Sequence, residues 1–191
     1  MSTQKTIIMS DMDRWSNIES YNETWNPRTE LLASLIEPNK TVIEFGAGIN
    51  PVSNYLPDSN KCTITDFVNK GDIEYIQYDL NAPKMVDFGD YDYAIFSGVL
   101  EYITNLPAKI KYISNRCANI VVSYSTLNEY PENRDLHGWM NSYTNHEFIK
   151  LFSDADMKLE KCIPWKKTYI TPNGNEYKIH QHIYKFSKNE I

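Results

Sequence analysis

The chain has 191 residues, 41% of them hydrophobic and 23% charged, with a formal net charge of −6. A length of this order makes one domain with a sizeable core, so residues 1–191 are read as a single unit. The acidic balance, with no dense Lys/Arg block, disfavours a nucleic-acid partner, whose phosphates would call for clustered cations.

The amino-terminal stretch carries one short apolar run, Ile7 to Met9, too short for a signal-peptide core. No apolar run approaches the roughly 18 residues of a membrane span. Three cysteines, Cys62, Cys117 and Cys162, are far apart and form no CxxC pair. They read as reduced core residues of a cytoplasmic protein.

"NPRTELLASLI" predicts the first substantial helix, with Asn26 as N-cap and Pro27 at the first helical position. Leu31, Leu32, Leu35 and Ile36 form its apolar face. Five strand-like runs follow: Thr41 to Phe45, Cys62 to Phe67, Glu74 to Tyr78, Tyr91 to Phe96 and Asn119 to Tyr124. Several are almost continuously apolar, as strands buried on both faces of a parallel sheet are. "PAKIKYISNRC" places Ile110, Ile113 and Cys117 on one helical face, and Thr144 with Glu147 forms a capping box before another helix. Near the carboxyl end, two strand-like runs flank "TPNGN", and Asn173-Gly174 signals a hairpin. The expected fold is α/β: a three-layer sandwich around a mostly parallel seven-stranded sheet that ends in an antiparallel hairpin strand, with helices on both faces.

The chemistry centres on "TVIEFGAGINP". Glycine after a strand permits positive φ and close approach of the backbone to a ligand. The dinucleotide pattern G-x-G-x-x-G fails because its third position is Pro51, and no Gly-Lys-Ser/Thr follows to make a P-loop. What remains, Glu44, Gly46, Ala47, Gly48 and Asn50, resembles the first motif of the class I S-adenosylmethionine-dependent methyltransferases. Asn50 replaces the family's third glycine, and asparagine tolerates the left-handed region.

The resemblance extends from about Asn26 to Phe186. It implies S-adenosylmethionine as cofactor, with S-adenosylhomocysteine as product. It implies that Asp66 accepts hydrogen bonds from the ribose hydroxyls and that Phe67 flanks the adenine. Asp79 would meet the adenine amino group and Leu80 would pack on the ring. Ser97 and Gly98 would line the methionine end, and Glu44 would help orient the amino group through direct or water-mediated bonds. From the residues alone, Asp66 and Asp79 could equally cap a helix or close a turn.

Methyl transfer needs an aligned acceptor and, for a protonated nucleophile, a base. The metal-dependent branch would want acids where the fourth strand ends, and Ser97 stands there, so no metal is expected. Two regions are candidates for the acceptor side: residues 1–25 and the loop Ser125 to Tyr143. His137 is the first candidate for general base, and equally a packing or surface histidine. Tyr21 and Trp25 either wall an acceptor or staple the first helix. Arg28 either binds an anion or is a helix-surface charge. Arg134, Trp139 and Tyr143 are further acceptor candidates on the loop. His180 and His182 share a strand face without a third metal ligand, and His146 reads as exposed.

The implied activity is methyl transfer to a small or carrier-linked polar acceptor, at oxygen, with a sugar or glycan precursor as the first reading. Rivals are an RNA or protein acceptor, or a regulatory module that binds cofactor without turnover.

Overall fold

The structure is a computed structural model that describes residues 11–17, 21–68, 75–132, 134–170, 174 and 176–189. Its seven strands are β1 (Thr41–Phe45), β2 (Lys61–Asp66), β3 (Ile76–Gln77), β4 (Tyr91–Ser97), β5 (Cys117–Tyr124), β6 (Met157–Ile170) and β7 (Glu176–Lys188). The helices are α1 (Met12–Ser16), α2 (Asn26–Ala33), α3 (Leu106–Ser114) and α4 (Asn145–Ser153).

Period-two alternation decides which layer each strand residue serves. Ile43, Phe45, Ala94, Phe96, Ile120 and Val122 point to the face covered by α3 and α4. Val42, Tyr93, Ile95 and Val121 point to the opposite face, where Leu32, Ala33 and Ile36 cover them. The sheet order is β3-β2-β1-β4-β5-β7-β6. Strands β1 to β5 run parallel. Strand β7 inserts antiparallel between β5 and β6. The expected α/β sandwich with a terminal antiparallel hairpin is therefore the observed architecture.

Some boundaries differ for physical reasons. Asn26 is the first residue of α2 and not its cap. A 3-10 turn, Glu23–Trp25, leads into α2, and the capping oxygen is that of Asn22, which accepts from Thr24 N–H at 2.9 Å. Cys117 opens β5 instead of closing a helix. Of the run expected over Glu74 to Tyr78, only Ile76–Gln77 pairs as strand, and Glu74 lies outside the described residues. Asn173 of the hairpin signal also lies outside them, while Gly174 has φ 84°. The capping box forms as expected, with Thr144 and Glu147 bonding reciprocally. Cys117 is buried, Cys62 is half-buried and Cys162 is exposed, so the core reading of the cysteines fails for Cys162. Among the described residues, no helix is long and apolar enough to cross a membrane.

The hairpin β6–β7 is longer than the sheet that holds it. Strand β7 pairs with β5 only from His182 to Ser187, while its pairing with β6 continues to Glu176. The overhang carries Ile179 and Gln181 to the carboxyl ends of the parallel strands. That is where open α/β sheets place their ligands.

Phe152 of α4 stacks on Phe186 of β7 with ring centroids 3.9 Å apart, and both are fully buried. Phe152→Ala is expected to destabilise the fold by about 3–5 kcal/mol in urea unfolding, as large-to-small changes in packed cores do. Cys162→Ala, on the exposed outer strand, is expected to stay within about 0.5 kcal/mol of the parent.

Candidate functional site

The turn after β1 is built by two left-handed glycines, Gly46 at φ 69° and Gly48 at φ 67°. The amides of Gly46 and Ala47 both donate to the Thr65 carbonyl, at 2.9 and 3.2 Å. Gly48 N–H donates to Asp66 Oδ2 at 2.8 Å, and Val68 N–H donates to Asp66 Oδ1 at 3.2 Å. A Cβ on Gly46 would lie 2.7 Å from Val99 Cγ2, and one on Gly48 would lie 2.8 Å from Tyr21 Cε1. No side chain fits at either position. Glycine at both positions lets Val99 and Tyr21 pack directly against the backbone of the turn.

Asn50 does not adopt the left-handed backbone expected of it, since among the described residues Asn39 and Asp156 are the non-glycine residues with positive φ. Gly46 and Gly48 complete the turn without it. Its side chain instead donates to Tyr55 Oη at 2.7 Å and accepts from Asn54 at 2.8 Å. Pro51 then precedes the 3-10 turn Val52–Tyr55.

Glu44 is 1% exposed and does not reach the cavity wall. Its Oε2 accepts from Val52 N–H at 2.8 Å, and its Oε1 has no partner among the described residues. Burial pushes its carboxyl up to about 8, with Asp66 adding to the rise. Glu44 thus braces the glycine turn from beneath. Asp79 accepts from Asn81 N–H at 2.8 Å and closes a turn. It too is absent from the cavity wall, although Tyr78 and Leu80 on either side are part of it. For Asp79 the turn-closing alternative is the one observed.

The cavity itself measures about 520 Å³. Its β1–β2 side is Gly46, Ala47, Gly48, Asn50, Asp66 and Phe67. Tyr21, Trp25 and Arg28 enter from the amino-terminal side, and His137 and Trp139 enter from the loop after β5. Ser97 and Gly98 lie at the end of β4, and the Ser97 hydroxyl sits 3.1 Å from Thr29 Oγ1.

Arg28 is buried at 7% exposure. Its Nη1 donates to Gln181 Oε1 at 3.1 Å and its Nη2 to the Ser97 carbonyl at 3.2 Å. Its Nε has no acceptor among the described residues. The guanidinium crosses so close over Gly98 that a Cβ there would lie 2.7 Å from Nη1. Burial lowers its pKa to about 10, and Glu101 pulls it back up.

Glu101, Gln181 and Arg14 were not singled out from the sequence. Glu101 is 1% exposed and lines the cavity. Its Oε1 accepts from Ser125 N–H at 2.8 Å and, weakly, from Gln181 Nε2 at 3.5 Å. Its Oε2 has no partner among the described residues. Burial raises the Glu101 pKa, while Arg28 and Arg134 oppose the rise. Gln181 also donates to Ser125 Oγ at 3.1 Å, so it bridges the cation and the acid. The available signal for Glu101 was a charge inside the apolar run "GVLEYI".

The loop candidates divide. Arg134 points away from the cavity and clamps its own loop. It donates to the carbonyls of Ser125 (2.9 Å) and Asn141 (3.1 Å) and to Ser142 Oγ (3.0 Å). Tyr143 packs against the core beneath α4, and its N–H donates to Tyr124 Oη at 3.2 Å. Neither lines the cavity. His137 does, with its ring stacked on Trp139 at 4.7 Å. Burial, Arg14 and Arg134 hold its pKa below the ordinary histidine value, so it is neutral near pH 7. Arg14 Nη1 donates to the His137 carbonyl at 2.6 Å, which ties α1 to the loop. His180 contacts Glu129 at 3.2 Å, and no group of three metal-ligating side chains occurs among the described residues.

Comparison with known proteins agrees with this geometry. One family, described as a methyltransferase domain, matches residues 18–160. No curated protein sequence is a significant match. Among solved structures, the chain is similar to 1,6-didemethyltoxoflavin-N1-methyltransferase of Burkholderia thailandensis, bound to 1,6-didemethyltoxoflavin and S-adenosylhomocysteine. That likeness has TM-score 0.65 and 12% identity and covers 91% of this chain and 82% of the other. The N-methyltransferase NodS of Bradyrhizobium japonicum, in complex with S-adenosylhomocysteine, gives TM-score 0.68 at 10% identity, covering 93% and 96%. TehB of Haemophilus influenzae gives 0.61 at 16% identity, covering 89% of this chain and 63% of that one.

The Glu44 carboxyl gives a signed pH dependence. With its folded pKa raised to about 8, the folded state holds a proton that the unfolded state releases above about pH 4.3. Its contribution to stability is therefore full below that pH and is lost as pH rises toward 8. Glu44→Gln should match the parent in chemical denaturation at pH 4 and exceed it at pH 8, by about 4–5 kcal/mol.

Proposed function

The chain belongs to the methyltransferase domain family, as a class I S-adenosylmethionine-dependent enzyme, and we propose that it methylates a small polar acceptor held in the cavity beside Glu101 and Gln181. The observation that carries this reading is the buried Arg28–Gln181–Glu101 chain, which lies across the sheet from the glycine turn in the same cavity.

The glycine cradle and Asp66 suit the adenosyl end of the cofactor, with Phe67 and Leu80 as apolar neighbours for the base. Asp66 is a carboxylate acceptor on the cavity wall at the end of β2, the chemistry that matches a vicinal diol. Ser97 and Gly98 would then meet the methionine end, where Arg28 offers a buried cation to its carboxylate. When bound, the cofactor supplies an electrophilic methyl group. The protein's share is to exclude water, orient the acceptor and receive a proton.

The finer reading is transfer to oxygen, with a sugar or glycan precursor as the first class to try. Aromatic walls from Tyr21, Trp25 and Trp139 combine with hydrogen-bonding groups at the floor, a mixture that suits a compact, polyhydroxylated ring. His137 lies on the same cavity as a neutral imidazole and is one group able to take the proton. Residues 1–25 and 125–143 would cover the acceptor side of one domain spanning 1–191. A net charge of −6 disfavours an RNA acceptor.

Two measurements test this reading. Isothermal calorimetry should detect S-adenosylhomocysteine binding, and Asp66→Ala should weaken it at least about tenfold, the loss expected from a charge-assisted hydrogen bond. Release of S-adenosylhomocysteine should then be followed against matched panels of sugar hydroxyl, amine and carboxylate acceptors. Turnover confined to hydroxyl acceptors is expected, and turnover confined to amines would refute the oxygen assignment.

A further inference from the structure

We propose that Glu101 is the catalytic base of this site, its free Oε2 receiving the proton of an acceptor hydroxyl as that oxygen takes the methyl group. The proposal rests on the reading that a protonated acceptor is methylated in this cavity, and it names the group that reading leaves open.

Three features of Glu101 point the same way. It is 1% exposed, yet it lines the cavity. A buried carboxylate oxygen without a partner is costly, by several kcal/mol for a bare charge, unless a ligand or proton completes it. Here one oxygen is completed and one is not: Oε1 is fixed by Ser125 N–H and approached by Gln181, while Oε2 is buried at the cavity wall with no partner among the described residues. A carboxylate held by one oxygen with the other free is oriented for proton transfer.

The position in the sheet supports this. Glu101 follows β4, Ser125 follows β5 and Gln181 lies on β7. These three occupy the β4–β5–β7 side of the cavity, whereas the glycine turn and Asp66 occupy the β1–β2 side. The base would thus stand on the acceptor's side of the transferred group. His137, the rival, sits on the loop with its ring stacked on Trp139.

The charges around Glu101 make the assignment workable. Arg28 from α2 and Arg134 from the loop favour the anion; Tyr102 beside it, Tyr124 of β5 and Tyr184 of β7 are neutral phenols at neutral pH. Burial opposes the anion. A sulfonium cation entering the cavity adds a positive charge and favours the carboxylate. Glu101 would therefore be held as the carboxylate, able to receive a proton, when the methyl donor is in place. In the transfer, the acceptor O–H bond breaks and its proton passes to Oε2. The freed oxygen pair forms the O–CH3 bond, and the pair of the broken S–CH3 bond stays on sulfur as a neutral thioether.

Sinefungin probes this geometry without an acceptor. It carries an amine-bearing carbon in place of the methyl-bearing sulfonium. A carboxylate close enough to serve the methyl group should hold that ammonium. Calorimetry at pH 7.5 should show sinefungin binding the parent at least about tenfold tighter than S-adenosylhomocysteine, the scale of one charge-assisted pair. Glu101→Gln should reduce that preference to about twofold or less while leaving S-adenosylhomocysteine affinity within about threefold. An unchanged melting temperature would show that the variant folds. A preference that survives Glu101→Gln, or one removed by His137→Ala instead, overturns the proposal. If the parent binds neither ligand, the cofactor reading itself fails and the proposal falls with it.

Discussion

The hydrogen bond from Gly48 N–H to Asp66 Oδ2, 2.8 Å long, is the constraint on which the site depends. It joins the turn after β1 to the end of β2, two strands already in parallel register. The bond requires the left-handed backbone at Gly48, which a residue with a Cβ adopts only at a cost of about 1 kcal/mol or more. It also requires an acid at the last position of β2. With both met, the turn lines the cavity, with Val99 and Tyr21 packed against its two glycines. Beneath it, Glu44 accepts the Val52 amide and anchors the chain's exit from the turn. The family motif's acid and glycines therefore act as one brace, and the ligand surface is what the brace leaves exposed.

The second constraint is the burial of opposite charges that do not pair directly. Arg28 and Glu101 share the cavity, yet each bonds to Gln181 and backbone and not to the other. A direct ion pair would satisfy both charges internally and leave neither for a ligand. Gly98 makes this arrangement possible, since a side chain there would displace the guanidinium. The overhanging part of β7 makes it possible as well, because it delivers Gln181 to the cavity. From the other side, Arg14 bonds the His137 carbonyl and Trp15 packs edge-on to Tyr102 at 5.3 Å. The amino-terminal segment and the loop thereby close on the same space.

The sequence carried the scaffold well because the scaffold rests on local rules. Alternating apolar positions in β1, β4 and β5 assign two faces, and the Thr144–Glu147 box starts α4 where the pattern places it. The glycine turn and Asp66 were legible for the same reason. Residues whose roles depend on distant partners were not. Asp79 and Asp66 each accept a local turn amide, from Asn81 and Val68, and what marks Asp66 is the further bond from Gly48, 18 positions away. Arg134 is an acceptor-side candidate by sequence, yet its five acceptors, all within its own neighbourhood, come together only in the fold. Glu101 and Gln181 are 80 positions apart, and nothing near either one announces the pairing. Asn50 looked like a glycine substitute, but Tyr55 and Asn54 give its side chain a different task.

The central claim is that the Gly48–Asp66 brace shapes the cofactor surface, and its most direct test is calorimetric titration of Gly48→Ala with S-adenosylhomocysteine. The added Cβ would meet Tyr21 at 2.8 Å on a left-handed backbone. The account predicts an affinity loss of at least about a hundredfold, about 2.7 kcal/mol, with the folded core intact by circular dichroism. Parent-like affinity in Gly48→Ala would contradict it.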